Sequence, residues 1–148
     1  MKAITIKQPW ASLIIRGGKD IENREWKSRI RGVVAIHSSA RLDPEEMEGA
    51  CDLMSGFVPR FSAAKFKRDD FPLGAILGTV EIVDCVDRSS SPWFSGKFGF
   101  VLKNPVAFEK PIPCKGALGF WWVPEVITEE ARRQYAAARA AMPERAGA

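Results

Sequence analysis

Several things are scarce in this chain of 148 residues. It has three cysteines, one histidine and one tyrosine, and its acidic side chains are outnumbered, 18 against 22 basic. Cys51, Cys85 and Cys114 are odd in number and widely spaced, so they do not read as a disulfide framework. They read as free thiols in a reducing compartment, and the expected location is cytoplasmic. No C-x-x-C pair is present, and the lone His37 cannot build a histidine-rich site. Neither a metal nor a cofactor is expected. No apolar run approaches the ~20 residues needed to span a bilayer, and no signal peptide is read at the N-terminus. No membrane association is expected.

What is present fits one compact unit. Hydrophobic residues make up 46% of the chain, which is ordinary for a folded protein. Ala3–Ile6 is β-branched and reads as a strand. Pro9 suits a helix start, and Trp10, Leu13 and Ile14 share one helical face before Gly17-Gly18 ends it. Strands follow at 32–37, 75–86, 98–102 and 118–123, with Asn104-Pro105 closing the fourth of these five and Pro111 and Pro113 bracketing an edge segment. Asp43-Pro44-Glu45-Glu46 opens a helix toward Met54, and 57–72 reads as a loop or irregular crossover. Thr128 is read as the cap of a last helix whose packing face holds Ile127, Ala131 and Tyr135, with a frayed tail from Pro143. The expected class is α+β, five to six strands forming a small β-barrel with flanking helices. Residues 1–127 are expected to form the domain, and 128–148 a C-terminal helix and tail.

Charge is uneven. The first 31 residues carry eight basic and three acidic side chains, a surplus larger than the +4 of the whole chain. Cations beside Trp10 and Trp26 combine phosphate attraction with flat stacking surfaces. A solvated basic face over two core tryptophans would look the same in sequence. Lys19–Trp26 alternates, which puts Glu22 and Arg24 on one side; a bend after the glycines would let Lys19 join them.

The blocks Gln8-Pro9-Trp10-Ala11-Ser12-Leu13, Gly18-Lys19-x-x-Glu22-x-Arg24-x-Trp26 and Arg31-Gly32 resemble the ASCH domain, in its coactivator-type branch. Pro72–Gly78, Val83-Asp84-Cys85, Lys103-Asn104-Pro105 and Lys115-Gly116 with Trp121 extend the resemblance over most of residues 3–123. It implies a PUA-like barrel with a cleft beside the first helix, lined by Lys19, Glu22 and Arg24. It also implies a partner: RNA, DNA or a nucleoside-like small molecule. Trp10, Ser12, Lys19, Glu22, Arg24, His37, Ser38 and Thr79 are the expected ligand-binding residues. Lys27, Arg29 and Arg31 are the expected phosphate-binding residues. A monomer is expected.

Those side chains suit the part. Lys19 offers a point charge or, once desolvated, a base. Arg24 grips a phosphate or base edge in two places. Glu22 accepts from an exocyclic amine or serves as general base. The alternative is a hydrolase acting on an acylated nucleoside or on RNA, with Lys19 and Glu22 as its catalytic pair. The resembling deacylase branch has a threonine nucleophile where this chain has Glu22. A third reading is a structural ion-pair cluster tying the helix to the barrel.

Overall fold

The computed structural model describes residues 1–57 and 70–143. The expected crossover of 57–72 lies mostly outside these residues, as does the tail beyond Pro143. In chain order the elements are β1 (Lys2–Gln8), α1 (Trp10–Arg16), β2 (Ile21–Arg24), β3 (Gly32–Leu42), α2 (Pro44–Phe57), β4 (Ala75–Val86), β5 (Phe98–Pro113), β6 (Phe120–Trp122) and α3 (Glu125–Ala141). The six strands form one sheet in the order β2-β5-β4-β3-β1-β6. Only β1 and β3 run parallel; the other pairs are antiparallel. A parallel pair needs a crossover, and α1 with β2 supplies it.

Alternation along β1 divides the sheet into two faces. Ile4 and Ile6 join Val34, Ile36, Val80, Ile82, Phe100 and Leu102 in the inner core, which Ala11, Ile14 and Ile15 of α1 complete. Ala3 belongs to the outer face, where Ala131 of α3, flanked by Ile127 and Tyr135, packs against Ala35, Ile76 and Phe108. Fully burying a side chain such as Phe100 or Ile36 contributes roughly 1.5–3 kcal/mol each.

The expected α+β class holds, but the barrel is only approximate. The edge strands β2 and β6 are not hydrogen-bonded to each other, so the sheet is rolled rather than closed. Side chains bridge the seam. The Arg24 guanidinium on β2 donates to the Thr5 carbonyl on β1 at 3.0 Å. Phe100 and Phe120 stack at 5.9 Å, and Trp26 meets both rings edge-on.

Several boundaries differ from the sequence reading: the strand expected at 32–37 runs on to Leu42, the helix expected to end at Met54 runs to Phe57, and the segment bracketed by Pro111 and Pro113 is the end of β5. Asn104-Pro105 does not end a strand; β5 runs through it. Asn104 takes a left-handed φ of 53°, and the pairing with β4 slips between Thr79 and Glu81. This bulge leaves proline no ladder bond to supply. The last strand is shorter than 118–123, and Leu118 is fully solvent-exposed before it. The terminal helix starts at Glu125, not at a Thr128 cap. Thr128 is buried inside it, and its hydroxyl donates to the Val123 carbonyl.

Candidate nucleic-acid cleft

A cleft of about 570 Å³ opens where β1 ends, beside α1 and β2. Lys19, Glu22 and Arg24 all line it, together with Trp10, Trp93 and Glu46. The local chain explains the convergence. Gly18 takes a left-handed φ of 77°, and the Lys19 amide still donates to Leu13 at the end of α1. The resulting bend moves Lys19 out of the strand's alternation and onto the side of Glu22 and Arg24.

Lys19 is 5% exposed and Glu22 8%. The Lys19 ammonium donates to the Ile21 carbonyl and lies 5.4 Å from the Trp10 ring and 5.8 Å from the Trp93 ring. Burial lowers the Lys19 pKa; Glu22 and Asp20 oppose that shift, and Arg24 adds to it. Burial raises the Glu22 pKa, against the pull of Lys19, Arg24 and the Asn23 backbone amide. Among the described residues no salt bridge joins the three side chains. Glu22 Oε2 and Arg24 Nε are buried and have no hydrogen-bond partner there.

Two walls of the cleft come from distant sequence. The Trp10 indole donates to Glu46 of α2 at 2.7 Å, and Lys7 approaches the same carboxylate at 3.8 Å. The loop after β4 brings Trp93 to the opposite side. Asn23 holds that loop at two points, donating to the Trp93 carbonyl and accepting from the Ser95 amide, both at 2.9 Å. Asp20 accepts from the Ser91 hydroxyl at 2.6 Å. Trp93, Asn23 and Glu46 were missed in sequence. The available signal was Ser91-Pro92-Trp93-Phe94, an aromatic pair inside a polar turn.

Four expected ligand-binding residues do not line the cleft. Ser12 accepts from Gln8 Nε2 at 2.7 Å, and its amide donates to Gln8 Oε1, so this pair caps α1. Ser12 borders a separate cavity of about 460 Å³ with Phe71 and Phe108. Ser38 is buried and exchanges hydrogen bonds with the Ala75 backbone. Thr79 is buried in β4, its hydroxyl without a partner among the described residues. His37 belongs to a closed chain: Nε2 lies 2.8 Å from the Cys114 carbonyl and Nδ1 3.1 Å from the Thr5 hydroxyl, which is 3.0 Å from the Trp121 indole nitrogen. A carbonyl only accepts, so Nε2 carries the proton. The sequence of donors is then Trp121 to Thr5 to His37 to Cys114, with a neutral imidazole. Burial lowers the His37 pKa in agreement.

The expected phosphate-binding residues lie outside the cleft lining, on the loop that continues from β2. Lys27 and Arg29 are exposed, Lys27 lying 5.5 Å from the Phe98 ring. Arg31 is engaged locally: it donates to the Ser28 and Ile30 carbonyls and approaches Asp84 at 3.8 Å. The three cysteines are free, as expected. No helix among the described residues is long and apolar enough to cross a membrane. No group of metal-ligating side chains occurs among them.

A rolled mixed sheet, plugged by its first helix and bearing a cleft of aromatic and charged side chains at the strand ends, defines the class of fold. The chain belongs to the ASCH domain family, whose model matches residues 4–112. It is 28% identical over 142 residues to activating signal cointegrator 1 of Homo sapiens, covering 88% of this chain and 23% of that protein. The Mus musculus protein of the same name is 29% identical with the same coverage. The chain thus spans about a quarter of the length of these relatives. Helix α3 lies beyond the residues that the family model matches.

Proposed function

We propose that this ASCH domain binds RNA and holds one base, plain or modified, in the cleft. The observation that carries the reading is that Lys19, Glu22 and Arg24 converge there without pairing with one another. A cluster kept for stability would spend its charges internally, because an unpaired buried charge is costly. Here Lys19 and Arg24 bind backbone carbonyls, and one oxygen of Glu22 has no partner. A base edge supplies both donors and acceptors, and its flat faces suit the indoles of Trp10 and Trp93. Lys27 and Arg29 take phosphates beyond the cleft. The domain works as a monomer in the cytoplasm.

Fluorescence anisotropy with labelled single-stranded RNA tests this. Affinity should fall steeply with salt as phosphate counterions are released. Lys19→Ala and Glu22→Gln should each weaken binding about tenfold, the loss of one good base-edge contact. Binding that ignores salt and both substitutions would overturn the reading.

The opposed ionisation shifts of Lys19 and Glu22 support a hydrolase as a second reading. Groups moved toward neutral pH from both sides suit proton transfer. In that case wild type would cleave RNA or acylated nucleosides, and either substitution would abolish turnover with folding retained. Stable product-free incubation of these substrates would exclude it.

A further inference from the structure

The seam of the rolled sheet continues away from the cleft and changes character as it does so. Arg24 and Gly119 line the cleft. Further along each edge, Trp26, two residues after Arg24, and Phe120, directly after Gly119, meet edge-on at 6.0 Å. Phe120 and Trp122 sit two apart on β6, hence on one face, and Trp122 pairs in register with Lys2. Trp122 is 71% exposed and Trp26 39%. The Lys2 ammonium lies over the Trp122 ring at 5.2 Å, as Lys27 lies over Phe98. An exposed indole costs solubility and earns nothing for the core.

We infer that this seam is a track for single-stranded RNA leaving the cleft, with Trp122 and Trp26 as stacking platforms and Lys2, Lys27 and Arg29 as phosphate contacts. The inference rests on the reading that the cleft holds an RNA base. Charge complementarity and continuity select the occupant. Trp122 has the Lys2 ammonium beside it, and Lys27 follows Trp26 directly in the chain, so cations flank both exposed rings in the combination that sequence-tolerant strand binding uses. The track begins at a residue, Arg24, that also faces the cleft. An acidic protein segment would meet the lysines but leave the ring faces unused.

Two RNA lengths separate the track from the cleft. A uridine trinucleotide reaches the cleft alone, and a uridine dodecamer covers both. Trp122→Ala should lower dodecamer affinity about tenfold and leave trinucleotide affinity unchanged, with Trp122→Phe restoring most of the loss. Lys27→Ala with Arg29→Ala should flatten the salt dependence of dodecamer binding by up to about two counterions. Lys19→Ala should weaken both lengths. Trp122 is exposed, so its removal leaves the core intact. Equal dodecamer affinity in Trp122→Ala and wild type, with Lys19→Ala still impaired, would overturn the track and leave the cleft reading standing. Dodecamer binding lost in Trp122→Ala but kept in Lys19→Ala would support the track and sink the cleft reading. Wild-type protein that binds neither length would overturn both.

Discussion

Two buried polar sites meet β1 at Thr5, one through His37 and one through Arg24 beside Glu22, and they differ in one respect. Around His37 every hydrogen bond is made: Trp121, Thr5, His37 and Cys114 form a chain in which each described donor meets an acceptor. Around Glu22 the account does not close, and an oxygen of the carboxylate and a nitrogen of Arg24 have no partner among the described residues. Both groups are buried; His37 is 2% exposed and Glu22 8%. Burial therefore does not separate these two sites, and satisfaction does; the Thr79 hydroxyl, buried and unpartnered away from the cleft, shows that an open valence points to a ligand only where it borders a cavity. The His37 chain fastens the Cys114–Gly119 loop, whose far end forms the cleft lip. Gly116 packs so closely that a Cβ there would lie 2.6 Å from the imidazole. The chain supports the cleft without entering it.

The comparison breaks most sharply on removal of the histidine. His37→Ala should cost about 2–4 kcal/mol of stability, since it opens a cavity and strands the Thr5 hydroxyl and the Cys114 carbonyl. Urea unfolding with unchanged m-value measures this. RNA affinity of the fraction that stays folded should change little, because His37 is outside the cleft lining and reaches it through its bond to Thr5. A loss of affinity larger than the loss of stability would return His37 to the binding site.

The same residue gives the second test, through pH. The folded pKa of His37 lies below its ordinary 6.5 because burial penalises the cation. The folded protein therefore binds this proton more weakly than the unfolded chain does. The stabilisation is complete above the ordinary value of 6.5 and is lost as pH falls through the folded value. Wild-type stability should decline over that window, and His37→Asn should remove this part of the decline. Identical slopes in both proteins would show that the imidazole does not titrate there.

The sequence made some of this legible and hid the rest for identifiable reasons. The run Ala75–Val86 is β4 to the residue, because its β-branched pattern and its flanking glycine and charged turn agree. Lys19, Glu22 and Arg24 were expected together because the resemblance puts them at a cleft; spacing alone left Lys19 undecided, since one glycine bend sets its side. His37 looked like a ligand because its partners Thr5, Cys114 and Trp121 come from three other segments; chain order does not encode that meeting. Trp93 stayed hidden for the same reason, since Asn23 anchors it across 70 residues. The continuity of β5 past Pro105 was hidden by a bulge, in which an asparagine at φ 53° does what the pattern alone forbids.

The smallest expected effect probes the unsatisfied side of the comparison. Glu22→Gln keeps the shape and removes the buried charge, so stability should stay within about 1 kcal/mol of wild type or rise, even as RNA affinity falls. The sign follows from the raised pKa. Burial makes the folded protein hold the Glu22 proton more tightly than the unfolded chain, whose ordinary carboxyl value is 4.5. The contribution of Glu22 is then fully present below that value and is lost as pH rises through the folded one. Subtracting the wild-type stability from that of the variant should give a difference that grows in the variant's favour from about pH 4.5 upward and then levels off. Levelling above the folded value would mark a carboxylate kept charged at a cost to the fold, the signature of a group retained for a ligand. A difference that shrinks with pH would instead mean that Lys19 and Arg24 outweigh burial, and that Glu22 is as well satisfied as His37.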